Sequence, residues 1–231
     1  MLTALDDTLM HQCAEVFAYT PVSDHRFFDR TVLGVHAPDG SLNLSTSFGV
    51  YKNNNVMDGF AMLQRDAVEQ FNHRYSRRLD LDYDKVALGP LSVEIVEPLQ
   101  KVRLRLAPGE YAGSYDIEWS AVVPPHLEQA HLHRHSGCTV RDHLRFSQFG
   151  KASGWIALNG KRTDFQNWFA WRDHSWGVRP GVGGFEPSVG TAEKNNGWLG
   201  IYLWWLTDEV GWLLQLQEDG DGNRLYLVGK L

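Results

Sequence analysis

Residues 101–106, KVRLRL, alternate without a break. Val102, Leu104 and Leu106 project one way, and Lys101, Arg103 and Arg105 the other. A side-chain period of two marks a strand with one buried face. The same pattern recurs along most of the chain. Short runs at 45–51, 59–64, 70–79, 91–96 and 115–122 are separated by turn residues at Pro38-Asp39-Gly40, Asn53-Asn54-Asn55, Gly89-Pro90 and Pro108-Gly109. In 70–79, Phe71, His73, Tyr75 and Arg77 share one face, and Asn72, Arg74, Ser76 and Arg78 form an unusually basic second face. Residues 140–149 and 154–159 read as a hairpin about a turn at 148–153. A tight turn at Asp219-Gly220-Asp221-Gly222 joins 198–206 and 212–217 to 225–228. Regularly spaced short strands predict an all-β, antiparallel barrel or sandwich.

One segment departs from this pattern. In residues 4–18, Leu5, Leu9 and Val16 fall near helical spacing, with Asp6 and Asp7 at the start, where the helix dipole favours them. This predicts a short N-terminal helix. His11 and Glu15 share a face of it. They are either an ordinary solvated pair, or the helix caps a barrel mouth and presents His11 to it. No repeat or linker interrupts the chain, so 1–231 is expected to be a single β domain, with 195–231 as the alternative opening strands of a second barrel. A strand finishing at Val228-Gly229 leaves an edge that calls for a homodimer or a missing second barrel.

Composition excludes several functions. A net charge of −6 argues against a nucleic-acid surface. No apolar run approaches the length of a membrane span. The start, MLTALDDTLMHQC, lacks a basic region before an apolar core, so a cytoplasmic location is expected, with Cys13 and Cys138 as free thiols. There is no GxGxxG after a strand, GxxxxGK[ST], HExxH or GxSxG. The aromatic content is high, with 9 Trp, 8 Tyr and 11 Phe, which suits an aromatic β core or a wide aromatic-lined cavity.

The chemistry concentrates in WRDHSWGVR, residues 171–179. In a strand, Asp173, Ser175 and Gly177 share one face, and Arg172, His174 and Trp176 the other. Two readings of the motif stand. Arg172 or Arg179 pairs with a carboxylate such as Asp58 or Glu94 and holds strands together. Alternatively, burial raises the Asp173 carboxyl until it protonates a C=C bond or an oxygen near neutral pH, with aromatic walls stabilising the cation. His131-x-His133-x-His135 puts three imidazoles on one face of a strand, a spacing zinc accepts. Its Pro- and Gly-bearing flanks favour an exposed loop instead, so no metal site is assigned.

The same motif resembles a known family. RDHSWGVR at 172–179, preceded by GWIALNG at 154–160 and followed by Gly197-Trp198, is similar to the lipocalin-like superfamily of hydroxyneurosporene synthase, the carotenoid 1,2-hydratase, and its uncharacterised bacterial relatives. Tyr51-Lys52-Asn53, Met57-Asp58-Gly59, Arg74-Tyr75-Ser76-Arg77, Leu88-Gly89-Pro90-Leu91 and Val96-Glu97-Pro98-Leu99 also resemble the uncharacterised branch. The resemblance implies a lipocalin-like barrel, one of a tandem pair, with an apolar ligand within or between the two. It also implies chemistry without a metal or organic cofactor: hydration, cyclisation or isomerisation of a terpenoid, polyene or polyketide-like molecule. By motif position it makes Asp173, His174 and Arg172 the catalytic candidates, with Asp173 as proton donor and His174 as its partner or a water activator. Arg172 and Arg179 tune their charge. Trp171, Trp176, Arg179, Trp198 and Trp204 would contact the ligand, to which the chain itself adds Tyr51 and His11. The alternative is a non-catalytic lipid or terpenoid carrier with a structural Arg-Asp-His cluster, in which Asp173→Asn costs stability because a buried pair loses one charge.

Overall fold

The computed structural model describes residues 2–7, 9–83, 85–110, 112–135, 137–182, 197–207 and 210–230, without the side chains of Ala4 and His135. Gly183 and Gly184 of the glycine-rich loop, and Asn195 and Asn196, lie outside the described residues. The chain divides into two compact units, Met1–Pro187 and Ser188–Leu231.

Twelve strands build the first unit: β1 (Phe27–His36), β2 (Leu42–Tyr51), β3 (Val56–Arg65), β4 (Glu69–Arg78), β5 (Ala87–Leu88), β6 (Leu91–Glu97), β7 (Lys101–Leu106), β8 (Ser114–Ala121), β9 (His126–Leu127), β10 (His131–His135), β11 (Cys138–Leu158) and β12 (Lys161–Val178). They form one antiparallel sheet in the order β4-β3-β2-β1-β12-β11-β8-β7-β6-β5, with β9 and β10 continuing the β8 edge along β11. The sheet curls into a nearly closed barrel. Arg77 spans the gap between its ends, its guanidinium donating to the backbone oxygens of Ala87, Lys85 and Asp82 at 3.0–3.2 Å.

Alternation decides the interior. Leu33 and Val35 of β1, Leu44 and Phe48 of β2, Met57, Ala61 and Leu63 of β3, and Val102, Leu104 and Leu106 of β7 all face one core. Tyr115, Ile117 and Trp119 of β8 fill its centre. Tyr115 reaches across to the Thr46 hydroxyl at 3.3 Å. The interior is thus occupied by side chains, as in a small barrel. From β4, Phe71 and Tyr75 pack against this core, and His73 donates to the Ala112 carbonyl at 2.7 Å.

Two local expectations are corrected. Residues 4–18 make only one 3-10 turn, Ala4–Asp7. The Asp6 carboxylate accepts from the Thr3 N–H and hydroxyl, but also from the Phe17 N–H and His11 Nε2, folding the segment back on itself before a second turn can add. Second, the hairpin expected about 148–153 does not exist. β11 runs straight through, pairing with β12 across a turn at Asn159-Gly160, and Gly154 marks a bulge rather than a turn. The second unit is a three-stranded antiparallel sheet of β13 (Trp198–Leu206), β14 (Gly211–Asp219) and β15 (Arg224–Lys230). Its last hairpin turns at 219–222, as the glycines there predict. Among the described residues no helix is long and apolar enough to cross a membrane.

Candidate functional site

The register of three strands lays out the site. On the outer face, one row runs Phe28, Gly177, His143. The next runs Arg30, Ser175, Arg145, and the third Val32, Asp173, Ser147. Asp173 is therefore the diagonal neighbour of both Arg30 and Arg145, within reach of long side chains. Ser47 of β2 lies opposite Val32 and accepts from Arg30 Nε at 2.9 Å. Gly177 keeps the rows in step. Its φ is +131°, and a Cβ there would lie 2.3 Å from the Asp142 carbonyl oxygen.

Glu128 supplies a second carboxylate, with a side chain fully removed from solvent. It is tied down: Arg145 donates to both of its oxygens at 2.8 Å, the Ser147 hydroxyl at 2.9 Å, and His131 Nε2 at 3.0 Å. His131 in turn stacks on His143, ring centres 4.7 Å apart. Burial, then the charges of His131 and nearby arginines, pushes His143 down to about 3, so its ring is neutral, and its Nδ1 is buried without a partner.

Asp173 is in a different state. No side chain among the described residues donates to its carboxylate. Burial pushes it up to about 6. Arg145, Arg30 and Arg179 pull it down and Glu128 pushes it up, but removal from water dominates. Arg179 lies over the Phe28 ring at 4.8 Å, and its own basicity is lowered by burial and by Arg30. Tyr51 donates to the Asp58 carboxylate at 3.1 Å, and burial with that charge raises its phenol to about 12. Beside this cluster a groove of about 530 Å³ runs over the outer face of β2–β4, lined by Arg30, Tyr51, Asp58, Phe60, Met62 and Arg74 among others.

A family model matches residues 2–230 and carries the description of a family of unknown function, DUF8625. The chain belongs to DUF8625. No curated protein matches it. Among solved structures, an AttH-like protein of Nitrosomonas europaea, determined at 2.00 Å, is similar with a TM-score of 0.61 and 17% identity over 90% of this chain. The chain spans 65% of that protein's length. At this identity the likeness shows the fold: this DUF8625 member is an antiparallel, lipocalin-like barrel.

The motif residues of this DUF8625 chain separate onto two faces. Arg172, His174 and Trp176 point inward. Arg172 is buried, stacks 4.6 Å from the Trp119 ring, and donates through Nε and a terminal nitrogen to Gln148 Oε1 at 2.9 and 2.6 Å. Its partner is thus an amide, not Asp58, which is held by Tyr51, nor Glu94, which lies opposite Arg103 in the β6–β7 ladder. Burial lowers Arg172 to about 10. His174 meets the Asp29 carboxylate at 2.6 Å on a solvent-facing end of the inner surface, with Trp176 against its ring. It has no access to Asp173. Trp171 points outward with Asp173, covers Gly34, and donates to His36 Nε2 at 2.9 Å. His11 bonds Asp6 and lines a small cleft that also includes Asp29. Trp198 and Trp204 belong to the second unit.

Sequence reasoning missed Arg30, Glu128, His143, Arg145 and Ser147. A signal existed for three of them: Arg141, His143, Arg145 and Ser147 alternate with Val140, Asp142, Leu144 and Phe146 along β11, a wholly polar face. The triple-histidine segment is a strand rather than a loop. Within it His131 serves Glu128 and His133 is exposed.

Proposed function

We propose that the protein binds a hydrophobic small molecule on the outer face of the barrel and carries out cofactor-free acid–base chemistry on it, with Asp173 as the proton donor. The observation that supports this is Asp173 itself, a half-buried carboxyl with no hydrogen-bond donor among the described residues and a pKa raised to about 6. Such a group is protonated below about pH 6, about two pH units above an ordinary carboxyl, and gives its proton up readily. Protonation of a C=C bond would be followed by capture of water, ring closure or loss of a neighbouring proton. These are hydration, cyclisation and isomerisation, the reactions suggested by the resemblance to hydroxyneurosporene synthase. Arg30, Arg145 and Arg179 would stabilise the carboxylate left behind. Because side chains occupy the barrel interior, the ligand is assigned to the groove lined by Arg30 and Tyr51, with its reacting end extending past Arg30 of β1 towards Asp173 on the adjoining β12. Arg172 and His174, on the opposite face, would position strands rather than react.

A carrier function is the second reading. It is favoured by Glu128, whose hydrogen bonds from Arg145, Ser147 and His131 are those of a structural ion pair. Asp173→Asn separates the two. With terpenols, fatty acids and polyenes as ligands, followed by tryptophan fluorescence and product analysis, turnover is expected to vanish in the variant while binding persists. Binding with no turnover by wild type, or turnover unchanged in the variant, would overturn the catalytic reading.

A further inference from the structure

Arg30 and Arg179 are the cations of the outer-face cluster that no carboxylate among the described residues holds. Arg145 is committed to Glu128. Arg30 spends its Nε on the Ser47 hydroxyl, and its terminal nitrogens have no partner among the described residues. Arg179 rests on Phe28 with its Nε buried and unpartnered. The carboxylates nearby do not compensate them. Asp58 is engaged by Tyr51, and Asp173 makes no ion pair within 4.0 Å. A half-buried guanidinium without an acceptor carries an uncompensated desolvation cost, which an incoming anion offsets. Arg30 also stands at the edge of the groove, whose walls include the apolar side chains of Phe60 and Met62.

We propose that Arg30, supported by Arg179, is the head-group site for an anionic amphiphile, with an oxyanion, a carboxylate by preference, on the guanidinium and the hydrocarbon chain laid along Phe60 and Met62. The planar fork of arginine matches a carboxylate with two parallel hydrogen bonds. The proposal rests on the preceding reading that the groove accepts an apolar molecule, and adds that the molecule is charged at one end. In that arrangement the head group is the end of the ligand nearest Asp173 and the chain on β3 runs away from it, so only a double bond adjacent to the head group comes within reach of the carboxyl.

Calorimetric titration of the whole chain with decanoate, decanol and inorganic phosphate tests this. Decanoate is expected to bind about tenfold or more tighter than decanol, the usual worth of a charge-assisted pair. That advantage shrinks in high salt. Arg30→Gln should bring decanoate down to the level of decanol, and Arg30→Lys should restore part of the difference. Circular dichroism and the melting temperature of each variant show whether it is folded, and the lysine variant keeps the test alive if the glutamine one is not. Equal affinity of decanoate and decanol for wild type would overturn the head-group site while leaving the apolar groove intact. So would a preference that survives in Arg30→Gln. Phosphate binding as tightly as decanoate would overturn the amphiphile. Binding of neither decanol nor decanoate by folded wild type would instead remove the groove reading on which the proposal stands.

Discussion

Asp173 and His174 are consecutive in β12 and face opposite sides of the sheet. His174 Nε2 finds Asp29 at 2.6 Å near solvent, while Asp173 lies half-buried among Arg30, Arg145 and Arg179 with no hydrogen-bond donor among the described residues. One peptide unit separates a solvated hydrogen bond from a partly desolvated acid.

The raised pKa of Asp173 is a statement about stability. A carboxyl lifted from 3.8 to about 6 in the folded state is stabilising relative to the ionised form only while protonated. Native stability is therefore lost as pH rises from about 4 through about 6. At 1.36 kcal/mol per unit the loss is about 3 kcal/mol at most. Asp173→Asn should raise stability at pH 8 by up to that amount and change little at pH 3.5. This reverses the loss expected from a buried ion pair, because Asp173 has no such pair to break. Urea denaturation at the two pH values checks it, and a variant less stable than wild type at pH 8 would refute it.

If Asp173 is the proton donor, turnover falls as pH rises through about 6, since only the protonated form can act. A pH–rate profile of kcat/KM flat between pH 5 and 8 would exclude it from that step.

His174→Gln should alter stability by no more than about 1 kcal/mol. Both partners are well exposed, 38% for His174 and 52% for Asp29, and solvent screens such pairs. Because His174 lies on the other face, Asp173-dependent turnover should survive. Thermal melts and an activity assay of the one variant settle both.

Gln148 accepts from Arg172 and donates to the backbone oxygens of Leu99 and Val123 at 2.9 Å. Gln148→Leu strands a buried guanidinium and two carbonyls, and should cost about 3 kcal/mol. Adding Arg172→Met removes the stranded charge and should recover a third or more of that loss. Strictly additive effects in the double variant would show that the two side chains are not coupled.

Gly177→Ala should prevent folding or cost more than about 3 kcal/mol, since the new Cβ meets backbone at 2.3 Å and a positive φ. Gly181→Ala, with positive φ but open space around it, should cost about 1–2 kcal/mol. Melting temperatures of the pair separate steric clash from backbone strain.

Much of the barrel was legible because alternation is local. KVRLRL at 101–106 and the Phe71, His73, Tyr75, Arg77 face each point as their spacing says. The N-terminal segment misled because Leu5, Leu9 and Val16 match helical spacing, whereas Asp6 bonds Phe17 eleven residues away, a choice no periodicity records. Residues 148–153 looked like a turn and are continuous strand, with a bulge at their end. In the site, Asp173 was visible in its motif and in its face. Its neighbours were not, since Arg30 and Arg145 reach it only through the register of β1 and β11 on β12. Glu128 had no sequence signal at all: it lies between two short strands and becomes informative only beside Arg145.

The long β11–β12 hairpin bears on the order of folding. Its strands zip from a two-residue turn at Asn159-Gly160, so their contacts are cheap in chain entropy. β1 must then dock on β12 from far along the chain, pairing Val32 with Asp173 across 140 intervening residues. Such closures are slow. Asp173 and Arg145 are set side by side early, and Arg30 arrives only when the ring of strands is made. The acid thus acquires its full complement of arginines in the last step of the folding reaction, and substitutions in β1 should speed unfolding more than they slow refolding.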